Sequence, residues 1–425
     1  MTTASPAEAS PETSPAHAPE LFSPFDIRGK ATAPNRLLKS AMSEVLARDG
    51  EHLPTEKHCR LYRRWAEGGT GVLVTGNVMI DRRALGEPGN VVLEDDAHLD
   101  RFVAWVEAVR AGHPATQFWM QINHPGKQSP KFLTPEPVAP SAVPLGHGLD
   151  KAFAAPRALE AEEIEALVRR FATTARLAKE AGWDGVQIHG AHGYLVSQFL
   201  SPHHNRRTDD WGGSAEKRRR FVLEVYRAIR AEVGEAFVVS IKMNSADFQK
   251  GGFEHEEAFA LIEALTAEGI DHIEISGGNY ESPAMTGARQ STREREAYFL
   301  DFAAEARTRT DVPLAVTGGF RSVGAMEEAV ASGATDFVGL ARALTLDPDL
   351  PKHAAADPGY TRDVGRPTTG VKLLDMMFML AISYYETQIG RIAQGKAPDP
   401  DMSAWRTVYE VATTLGKAAF RKRRA

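Results

Sequence analysis

Residues 185–214 read GVQIHGAHGYLVSQFLSPHHNRRTDDWGGS, and this stretch turns abruptly from an apolar run into reactive side chains. The opening GVQI has the pattern of a buried strand. His189, His192 and Tyr194 follow it directly, and a long polar loop comes next. A buried strand that ends in proton-handling side chains is typical of α/β enzymes, whose active sites lie at the carboxyl ends of strands. The stretch therefore predicts an active site, provided that the rest of the chain supplies the barrel.

The remaining sequence repeats this alternation of strand and helix. Eight strand-like runs are predicted at 37–42, 71–75, 116–122, 185–188, 237–243, 271–275, 312–316 and 336–340, and helical sequence follows each of them. Turns that contain glycine recur before strands, as in Gly182-Trp183-Asp184, Gly269-Ile270-Asp271 and Gly333-Ala334-Thr335-Asp336. Eight such units predict an α/β protein with a TIM (β/α)8 barrel. An open, doubly wound sheet is the alternative, because alternation alone does not prove closure.

The flanks of the barrel differ from it in composition. Residues 1–20 are rich in Pro, Ala, Ser, Thr and Glu, which predicts a disordered tail before a single barrel domain at 21–395. Residues 396–425 are predicted to form a linker and a peripheral helix. The segment 373–385 is apolar on nearly all sides of a helix, so we interpret it as the eighth barrel helix or as a contact between copies of the chain, which would make a homo-oligomer.

Composition and charge exclude several classes of protein. The 425 residues are 43% hydrophobic and 25% charged, as in an ordinary globular protein, and the net charge of −6 gives no reason to expect nucleic acid or an anionic membrane as a partner. No apolar run approaches the roughly 20 residues of a membrane span. Cys59 is the single cysteine, which excludes an internal disulfide and an all-cysteine iron–sulfur cluster within one chain. A cytoplasmic protein with a small-molecule substrate is expected.

The histidine and tyrosine group at the end of the fourth strand has three interpretations. His189 and His192 can donate to one carbonyl oxygen while Tyr194 supplies a proton. They can instead be structural histidines beside a core tyrosine. The third interpretation is a metal site joined by other histidines. Those are His124, His203 and His204.

The ends of the last two predicted strands are rich in glycine. They read Thr317-Gly318-Gly319-Phe320 and Gly339-Leu340-Ala341-Arg342. Loops after strands 7 and 8 form the recurrent phosphate site of TIM barrels, where glycines let backbone N–H groups approach the anion and an arginine such as Arg342 binds it bidentately. This pattern predicts a phosphorylated ligand.

Single polar residues occur at four other strand ends: Ser43, Gly76, Gln121 and Lys242. A buried glutamine or lysine is unfavourable without a partner, so a ligand shared with the histidines is the better interpretation than four ordinary end-of-strand residues. The motifs GxSxG, Walker A and GxGxxG and a zinc-cysteine set are absent from the sequence, which leaves serine hydrolase, P-loop and Rossmann functions without support.

Several motifs together resemble the Old Yellow Enzyme family of FMN-dependent ene-reductases. The main ones are Ile188-His189-Gly190-Ala191-His192-Gly193-Tyr194-Leu195, Phe199-Leu200-Ser201-Pro202 and Arg207-Thr208-Asp209-Asp210-Trp211-Gly212-Gly213-Ser214. Supporting ones are Asn35-Arg36, Ala41-Met42-Ser43, His124-x-Gly126-Lys127, Lys242-Met243-Asn244 and Thr317-Gly318-Gly319. The resemblance covers about residues 22–350 and implies that FMN lies across the mouth of the barrel.

The resemblance also implies which residues hold the cofactor. Flavin contacts are implied for Ala41, Met42, Ser43 and Gly76, for Gln121 at the pyrimidine edge, and for Lys242 near N1 and C2=O. Phosphate contacts are implied for Gly318, Gly319, Ala341 and Arg342. Positive charge near N1 favours the reduced flavin. The reductant is expected to be NADH or NADPH.

The same resemblance assigns the catalytic roles. His189 and His192 would bind the carbonyl oxygen of an activated alkene, and Tyr194 would protonate its α-carbon after hydride leaves flavin N5 for the β-carbon. Tyr280 is expected to bind substrate as well, and Arg293 is a further possibility in the same loop. No structural or catalytic metal is expected.

Three residues depart from the family pattern. Ser43 stands where relatives carry cysteine or threonine, Lys242 where arginine is frequent, and Ala341 where glycine is common. Three alternatives to an ene-reductase stay open. They are a flavin-dependent amine dehydrogenase or demethylase, a metal-dependent lyase or hydrolase that uses His189, His192 and His203, and a non-catalytic barrel that binds a phosphorylated ligand.

Overall fold

The computed structural model describes residues 20–146, 148–282 and 296–422, with side chains described up to residue 413. The predicted tail therefore lies outside the described residues, apart from Glu20. Arg293 and the start of the helix predicted at 293–310 lie outside them as well.

Eight parallel strands close into a barrel. They are β1 Leu37–Lys39, β2 Val72–Val74, β3 Gln117–Asn123, β4 Gly185–Gly190, β5 Val238–Asn244, β6 His272–Ser276, β7 Leu314–Thr317 and β8 Phe337–Leu340. Each strand pairs with its sequence neighbours, and the pairing of β8 with β1 completes the circle. The predicted TIM (β/α)8 barrel is confirmed, and the open sheet is wrong because this sheet has no break between β8 and β1.

Helices surround the barrel in the order that the sequence predicts. Those that follow the first seven strands are Glu56–Glu67, Leu99–Gly112, Ala161–Glu180, Ala215–Val233, His255–Glu268, Leu300–Arg307 and Val323–Ala331. Ser214 caps the fourth of them by accepting a hydrogen bond from the Lys217 backbone N–H, as its residue type predicts. Their buried apolar faces cover the outside of the sheet and form the larger core of the molecule.

A short antiparallel hairpin, Phe25–Ile27 with Ala31–Ala33, covers the amino-terminal end of the barrel. Its buried residues Ile27 and Ala33 pack with the barrel residues Trp119 and Phe337 in a second, smaller core. The apolar side chains at this end enclose one polar pair, Ser240 and His272, which are 2.8 Å apart.

The segment after β8 consists of helices Arg342–Leu346, Leu350–Ala356, Lys372–Met377, Leu380–Ala393 and Ala404–Lys422. The single apolar helix expected over 373–385 is wrong. Met379 has a left-handed backbone (φ 44°) that separates two helices, and Leu373, Met376 and Met377 are exposed. Leu380–Ala393 packs against helix Glu56–Glu67. Within the ranges that the structure describes, no helix is long and apolar enough to cross a membrane.

Candidate active site

A layer of hydrogen-bonded polar side chains crosses the inside of the barrel near its carboxyl end. Gln121 of β3 donates to Gln187 of β4 at 2.8 Å, and Gln187 donates to Glu274 of β6 at 2.8 Å. Glu274 also accepts a hydrogen bond from Thr317 of β7 at 2.6 Å and pairs with Lys242 of β5 at 2.9 Å. Because β4 and β6 are not neighbours in the sheet, the Gln187–Glu274 contact must cross the interior. The layer forms the floor of the barrel mouth.

The Lys242–Glu274 pair makes this floor an ionic one. Both side chains are buried, and they lie directly opposite each other in the β5–β6 register. Burial alone would raise the pKa of Glu274, but the Lys242 ammonium and the hydrogen bonds from Thr317, Lys242 and Gln187 lower it to about 2. The carboxylate is therefore ionised at neutral pH and partly offsets the positive charge of Lys242.

The three reactive side chains predicted at the end of β4 converge above this floor. The His189 and His192 rings have centroids 5.3 Å apart, and the Tyr194 ring lies 4.7 Å from that of His189. His189 is two residues after Gln187, so its side chain points the same way, one layer nearer the mouth. The alternation of the strand thus supplies the first histidine, and the turn that follows supplies the second.

That turn has an unusual backbone at His192, whose φ of 60° is left-handed. For a residue other than glycine this conformation is strained, and it persists where neighbours fix it. Asn244 accepts a hydrogen bond from the His192 N–H at 3.2 Å, and Gln128 donates to its carbonyl at 3.0 Å. Ser276 lies 2.8 Å from His192 Nε2. Two contacts therefore hold the backbone of His192, and a third holds its ring.

Both imidazoles are neutral at pH 7. Burial lowers the pKa of His189 well below its usual value, and the nearby titratable groups His192 and Lys242 lower it further. Burial and Lys242 lower the pKa of His192 to about 3. His189 Nδ1 accepts a hydrogen bond from the Ala191 N–H at 3.3 Å, so its proton resides on Nε2. A neutral imidazole N–H of this kind can donate to a substrate oxygen without the desolvation that a cation would require.

Tyr194 and Tyr280 form a hydroxyl pair, with their oxygens 2.9 Å apart. Burial, followed by the electrostatic effect of the neighbouring phenol Tyr280, raises the pKa of Tyr194 well above its usual value. Burial, followed by the charge of Glu87, raises that of Tyr280 to about 12. Both phenols therefore keep their protons at neutral pH, and one can donate to the other or to a bound molecule.

The buried histidines make acid destabilisation a testable consequence. Burial lowers the pKa values of His58, His124 and His272 to about 4 and that of His204 to about 2. In the unfolded chain the pKa of each histidine is near 6.5. Below that pH the unfolded chain therefore binds protons that the folded chain does not. Each group then removes about 1.4 kcal/mol of unfolding free energy per pH unit until its folded pKa is reached. We expect a steep loss of stability between about pH 6 and pH 4.5.

Urea unfolding of the apoprotein at a series of pH values measures this loss. His58→Gln is the matched variant, because an amide oxygen can replace Nδ1 as the acceptor for the Thr55 N–H without titrating. Between the folded and the unfolded pKa of His58, the variant should take up about one proton fewer on unfolding than the wild-type protein does. A stability that stays constant from pH 7 to pH 5 would contradict the expectation.

A cavity of about 450 Å³ opens beside the histidines, within the range of small-ligand sites. Most residues predicted to hold the cofactor line it: Ala41, Met42, Ser43, Lys242, Gly318, Gly319, Ala341 and Arg342. His192 lines it too. Gln121 lies in the polar floor, and Gly76 lies behind Met42, whose carbonyl a Cβ at Gly76 would strike. The structure thus gathers all of the predicted strand-end residues around one mouth.

The end of the cavity below β7 and β8 suits an anion. Gly319 has φ 88°, and a Cβ there would overlap the Tyr298 ring, so a side chain is excluded at this position. Arg342 begins a short helix and lies 5.7 Å from the Tyr385 ring centroid. Because Lys242 and Arg342 both line it, the cavity suits a ligand that has an anionic group, as FMN has.

Four carboxylates in and around the mouth were missed by sequence reasoning. The Ser43 hydroxyl donates to Glu87, and the Gly76 N–H donates to Glu44 at 2.7 Å. Glu386, on helix Leu380–Ala393, lines the cavity. Glu274 was missed as well, although its position in β6 opposite Lys242 could have been read from the alternation of that strand. Glu44 and Glu87 lie on connecting segments, where no periodicity marks them, and Glu386 lies on a helix that follows the eight strand–helix units.

The metal-site interpretation gains little from the geometry. Among the residues that the structure describes, the group able to offer three ligand atoms is His203, His204 and Glu281, and it does not include His189 or His192. Lys127 Nζ lies 2.8 Å from His204 Nδ1, and Glu281 accepts a hydrogen bond from the Gly146 N–H at 2.7 Å. An ammonium at this distance opposes a cation, so the group is better described as a hydrogen-bond network.

Comparison with known proteins agrees with the geometry. Residues 20–358 match the model of the NADH:flavin oxidoreductase / NADH oxidase family. NADH-dependent flavin oxidoreductases named iliE are 40% identical to this chain. The match to the protein from Hypocrea jecorina (strain QM6a) covers 77% of this chain and 87% of that one. The match to the protein from Neonectria sp. (strain DH2) covers 80% of this chain and 47% of that one. This chain thus spans about half the length of the second relative.

Two solved structures extend the comparison. Morphinone reductase in complex with tetrahydroNAD superposes with a TM-score of 0.69 at 26% identity, covering 83% of this chain and 93% of that one. Histamine dehydrogenase from Rhizobium sp. 4-9 superposes with a TM-score of 0.69 at 27% identity, covering 80% of this chain and 48% of that one. The same barrel therefore occurs in proteins with these two different names.

Proposed function

The chain belongs to the NADH:flavin oxidoreductase / NADH oxidase family and is an FMN-dependent oxidoreductase that uses NADH, and from this premise we propose that it reduces activated C=C bonds of α,β-unsaturated carbonyl compounds. The observation that carries the proposal is the neutral pair His189 and His192 beside the protonated Tyr194, next to a cavity that suits FMN. Two N–H donors and one O–H donor around one point match the needs of a polarised alkene.

Each side chain has one task in this proposal. His189 and His192 donate to the carbonyl oxygen, where negative charge develops as the β-carbon accepts hydride. Bound FMN supplies that hydride and is recharged by NADH. Tyr194 donates its proton to the α-carbon, and Tyr280, 2.9 Å from it, contacts the substrate and orients the Tyr194 hydroxyl. The low pKa of the histidines keeps both imidazoles neutral at pH 7, so each ring has one N–H to donate.

The cofactor is proposed to lie along the line of predicted residues. Ala41, Met42, Ser43 and Gly76 would contact the ring system, with Gln121 and Lys242 at its pyrimidine edge. Gly318, Gly319, Ala341 and Arg342 would bind the phosphate. Because Glu274 offsets the charge of Lys242, this lysine should favour reduced flavin less than an unpaired cation would.

Replacement of Arg342 by alanine tests the phosphate assignment. Loss of a charge-assisted hydrogen bond is worth about 1.5–3 kcal/mol, so we expect FMN affinity to fall by about 10-fold to 100-fold. Riboflavin, which lacks the phosphate, provides the control ligand, and its affinity should not change. Fluorescence titration of the apoprotein measures both. An equal loss for the two ligands would show that Arg342 acts on the structure of the site and not on the phosphate.

Oxidation of an amine is the second candidate function, and two carboxylates favour it. Burial, together with the charge of Glu87, raises the pKa of Glu386 to about 8, and burial raises that of Glu87. Glu386 lines the cavity, and the charge of Glu87 acts on Tyr194 and Tyr280. A cationic amine would relieve this crowding of negative charge. The similarity to histamine dehydrogenase is consistent with it.

A substrate panel separates the two functions. The FMN-loaded protein is reduced with NADH without oxygen and then mixed with cyclic enones or unsaturated imides, and reoxidation is followed by absorbance. In a parallel series, oxidised protein is mixed with primary and secondary amines. Rapid reoxidation by enones with no reduction by amines is the expected result. The reverse pattern would replace the proposal by amine oxidation, and a preparation that cannot bind FMN would defeat both.

A further inference from the structure

A buried chain of three polar side chains lies behind the strand ends that line the cavity. The Lys39 ammonium donates to the Tyr62 hydroxyl at 3.0 Å and to the Val74 carbonyl at 2.7 Å. Tyr62 in turn donates to Glu44, which also accepts the Gly76 N–H at 2.7 Å. Lys39 lies on β1 and Tyr62 on helix Glu56–Glu67, so the chain spans the layer between barrel and helix. None of the three has a role in the proposed reaction.

Among the residues that the structure describes, none offers a carboxylate directly to the buried Lys39 amino group. Its side chain is 0% exposed, and its hydrogen-bond acceptors are a phenol and a backbone carbonyl. The rings of Tyr62 and Trp65 lie 4.9 Å and 4.7 Å from Nζ, which recovers part of the lost hydration. Glu44 is reached only through the Tyr62 hydroxyl. Such an arrangement lets the lysine lose its proton more easily than one in an ion pair.

The surroundings act on this lysine in both directions. Burial lowers the pKa of Lys39 to about 7. Glu44, on the segment after β1, and Glu274, on β6, favour the charged form, and Lys242, on β5, opposes it. Tyr62 and the neutral His58, both on the helix, complete the titratable groups that face the chain. Lys39 therefore changes charge near neutral pH and responds to charges at the barrel mouth.

The far end of the chain is the wall of the cavity. Glu44 follows the segment Ser40–Ser43, which lines the cavity, and it holds the Gly76 N–H. A Cβ at Gly76 would overlap both the Glu44 carboxylate and the Met42 carbonyl, so these groups are in close contact. A change of charge at Lys39 is thus transmitted over one phenol and one carboxylate to the backbone against which the flavin is proposed to lie.

We propose that Lys39, Tyr62 and Glu44 form a positioning unit behind the cofactor and that Lys39 takes up a proton from solvent when the flavin is reduced. The inference rests on FMN binding at this mouth. NADH transfers two electrons and one proton as hydride and leaves as NAD⁺, and the negative charge that the flavin gains is balanced as the Lys39 amine becomes ammonium. When substrate removes the hydride, the ammonium returns its proton to solvent. One proton beyond the hydride is therefore cycled in each turnover.

The midpoint potential of the FMN-bound protein, measured by anaerobic titration from pH 6 to pH 9, tests this uptake. If one additional proton is taken up per two electrons, the midpoint potential falls more steeply with pH, by about 30 mV per pH unit. For a two-electron couple this is equivalent to a tenfold change in the equilibrium constant. We expect the steeper slope just above pH 7 in the wild-type protein and in the control Lys57→Met, which alters an exposed lysine on the same helix. Lys39→Met and Lys39→Arg should lack the steeper slope. Methionine has no group that can take up the proton, and arginine is always protonated.

The outcomes separate this inference from the proposed function. A wild-type slope equal to that of Lys39→Met overturns the proton uptake, whatever the FMN affinity of the variants. If the Lys39 variants fail to fold, Tyr62→Phe serves instead, because it removes the hydroxyl between Lys39 and Glu44 and should displace the steep region to another pH. An unchanged profile in Tyr62→Phe would also count against the unit. Failure of the wild-type protein to bind FMN would overturn both this inference and the proposed function.

Discussion

Replacing Tyr194 with phenylalanine is expected to slow alkene reduction by about 10²-fold to 10⁴-fold, the usual contribution of a positioned proton donor. The ring of Tyr194 is buried against His189, so phenylalanine keeps the packing and removes only the hydroxyl. Reduction of the bound flavin by NADH needs no proton from this residue and should stay close to the wild-type rate. Rapid mixing without oxygen measures the two half-reactions separately.

Tyr280→Phe is the matched control for that experiment, because its hydroxyl lies 2.9 Å from that of Tyr194. If Tyr194 is the donor, loss of the Tyr280 hydroxyl should slow alkene reduction much less than loss of the Tyr194 hydroxyl, since it removes an orienting hydrogen bond and a substrate contact but not the proton that is transferred. The pKa of Tyr194 is well above 10, so the wild-type rate should also show no loss from ionisation of this phenol up to about pH 9. A Tyr194→Phe variant that loses both half-reactions equally would refute the assignment of proton donor.

The second large effect is expected for Glu274, which has no contact with substrate in the proposed reaction. Glu274→Leu would leave the Lys242 ammonium buried and without its partner, and would also remove an acceptor from Gln187 and Thr317. Breaking a buried ion pair on one side costs about 3–5 kcal/mol. Urea unfolding of the apoprotein should show a loss of this size, which is a large share of the stability of a typical domain.

The double variant Lys242→Met/Glu274→Leu separates stability from cofactor chemistry. Because it removes both charges, it should recover most of the stability that Glu274→Leu loses. It should still bind FMN more weakly than the wild type, since Lys242 is proposed to contact the pyrimidine edge. If the single variant is as stable as the double one, the pair does not hold the barrel floor together. If the double variant binds FMN normally, Lys242 has been assigned the wrong place.

The sequence predicted those features that depend on local pattern. Eight β-rich runs alternating with amphipathic helices predicted the barrel, and each strand was located to within a few residues of its observed bounds. His189, His192 and Tyr194 were recognisable because they follow a buried strand directly, and Gly318, Gly319 and Arg342 because they follow the last two strands. A residue just after a strand has its position set by that strand, so a correct order of strands brings such residues together.

The partners within the site could not be predicted in this way. The contact of Gln187 with Glu274 depends on which side chains of non-adjacent strands meet inside a closed barrel. The chain from Lys39 through Tyr62 to Glu44 depends on how a helix lies over the sheet. The apolar residues around 373–385 predicted one helix, yet Met379 divides it and leaves Leu373 exposed. Each of these outcomes depends on packing between segments that are distant in sequence.

The sequence alone therefore determined the barrel, the edge on which the chemistry lies and the residue types present there, because periodicity and strand ends are local properties. Only the tertiary structure decided which of these groups carry charge. Burial keeps His192 neutral and Tyr194 protonated, and it leaves Lys39 able to titrate near pH 7. Lys242 and three hydrogen bonds keep Glu274 ionised against the effect of burial. These states depend on the loss of water and on the sum of nearby charges, which exist only once the strands and helices have packed around them.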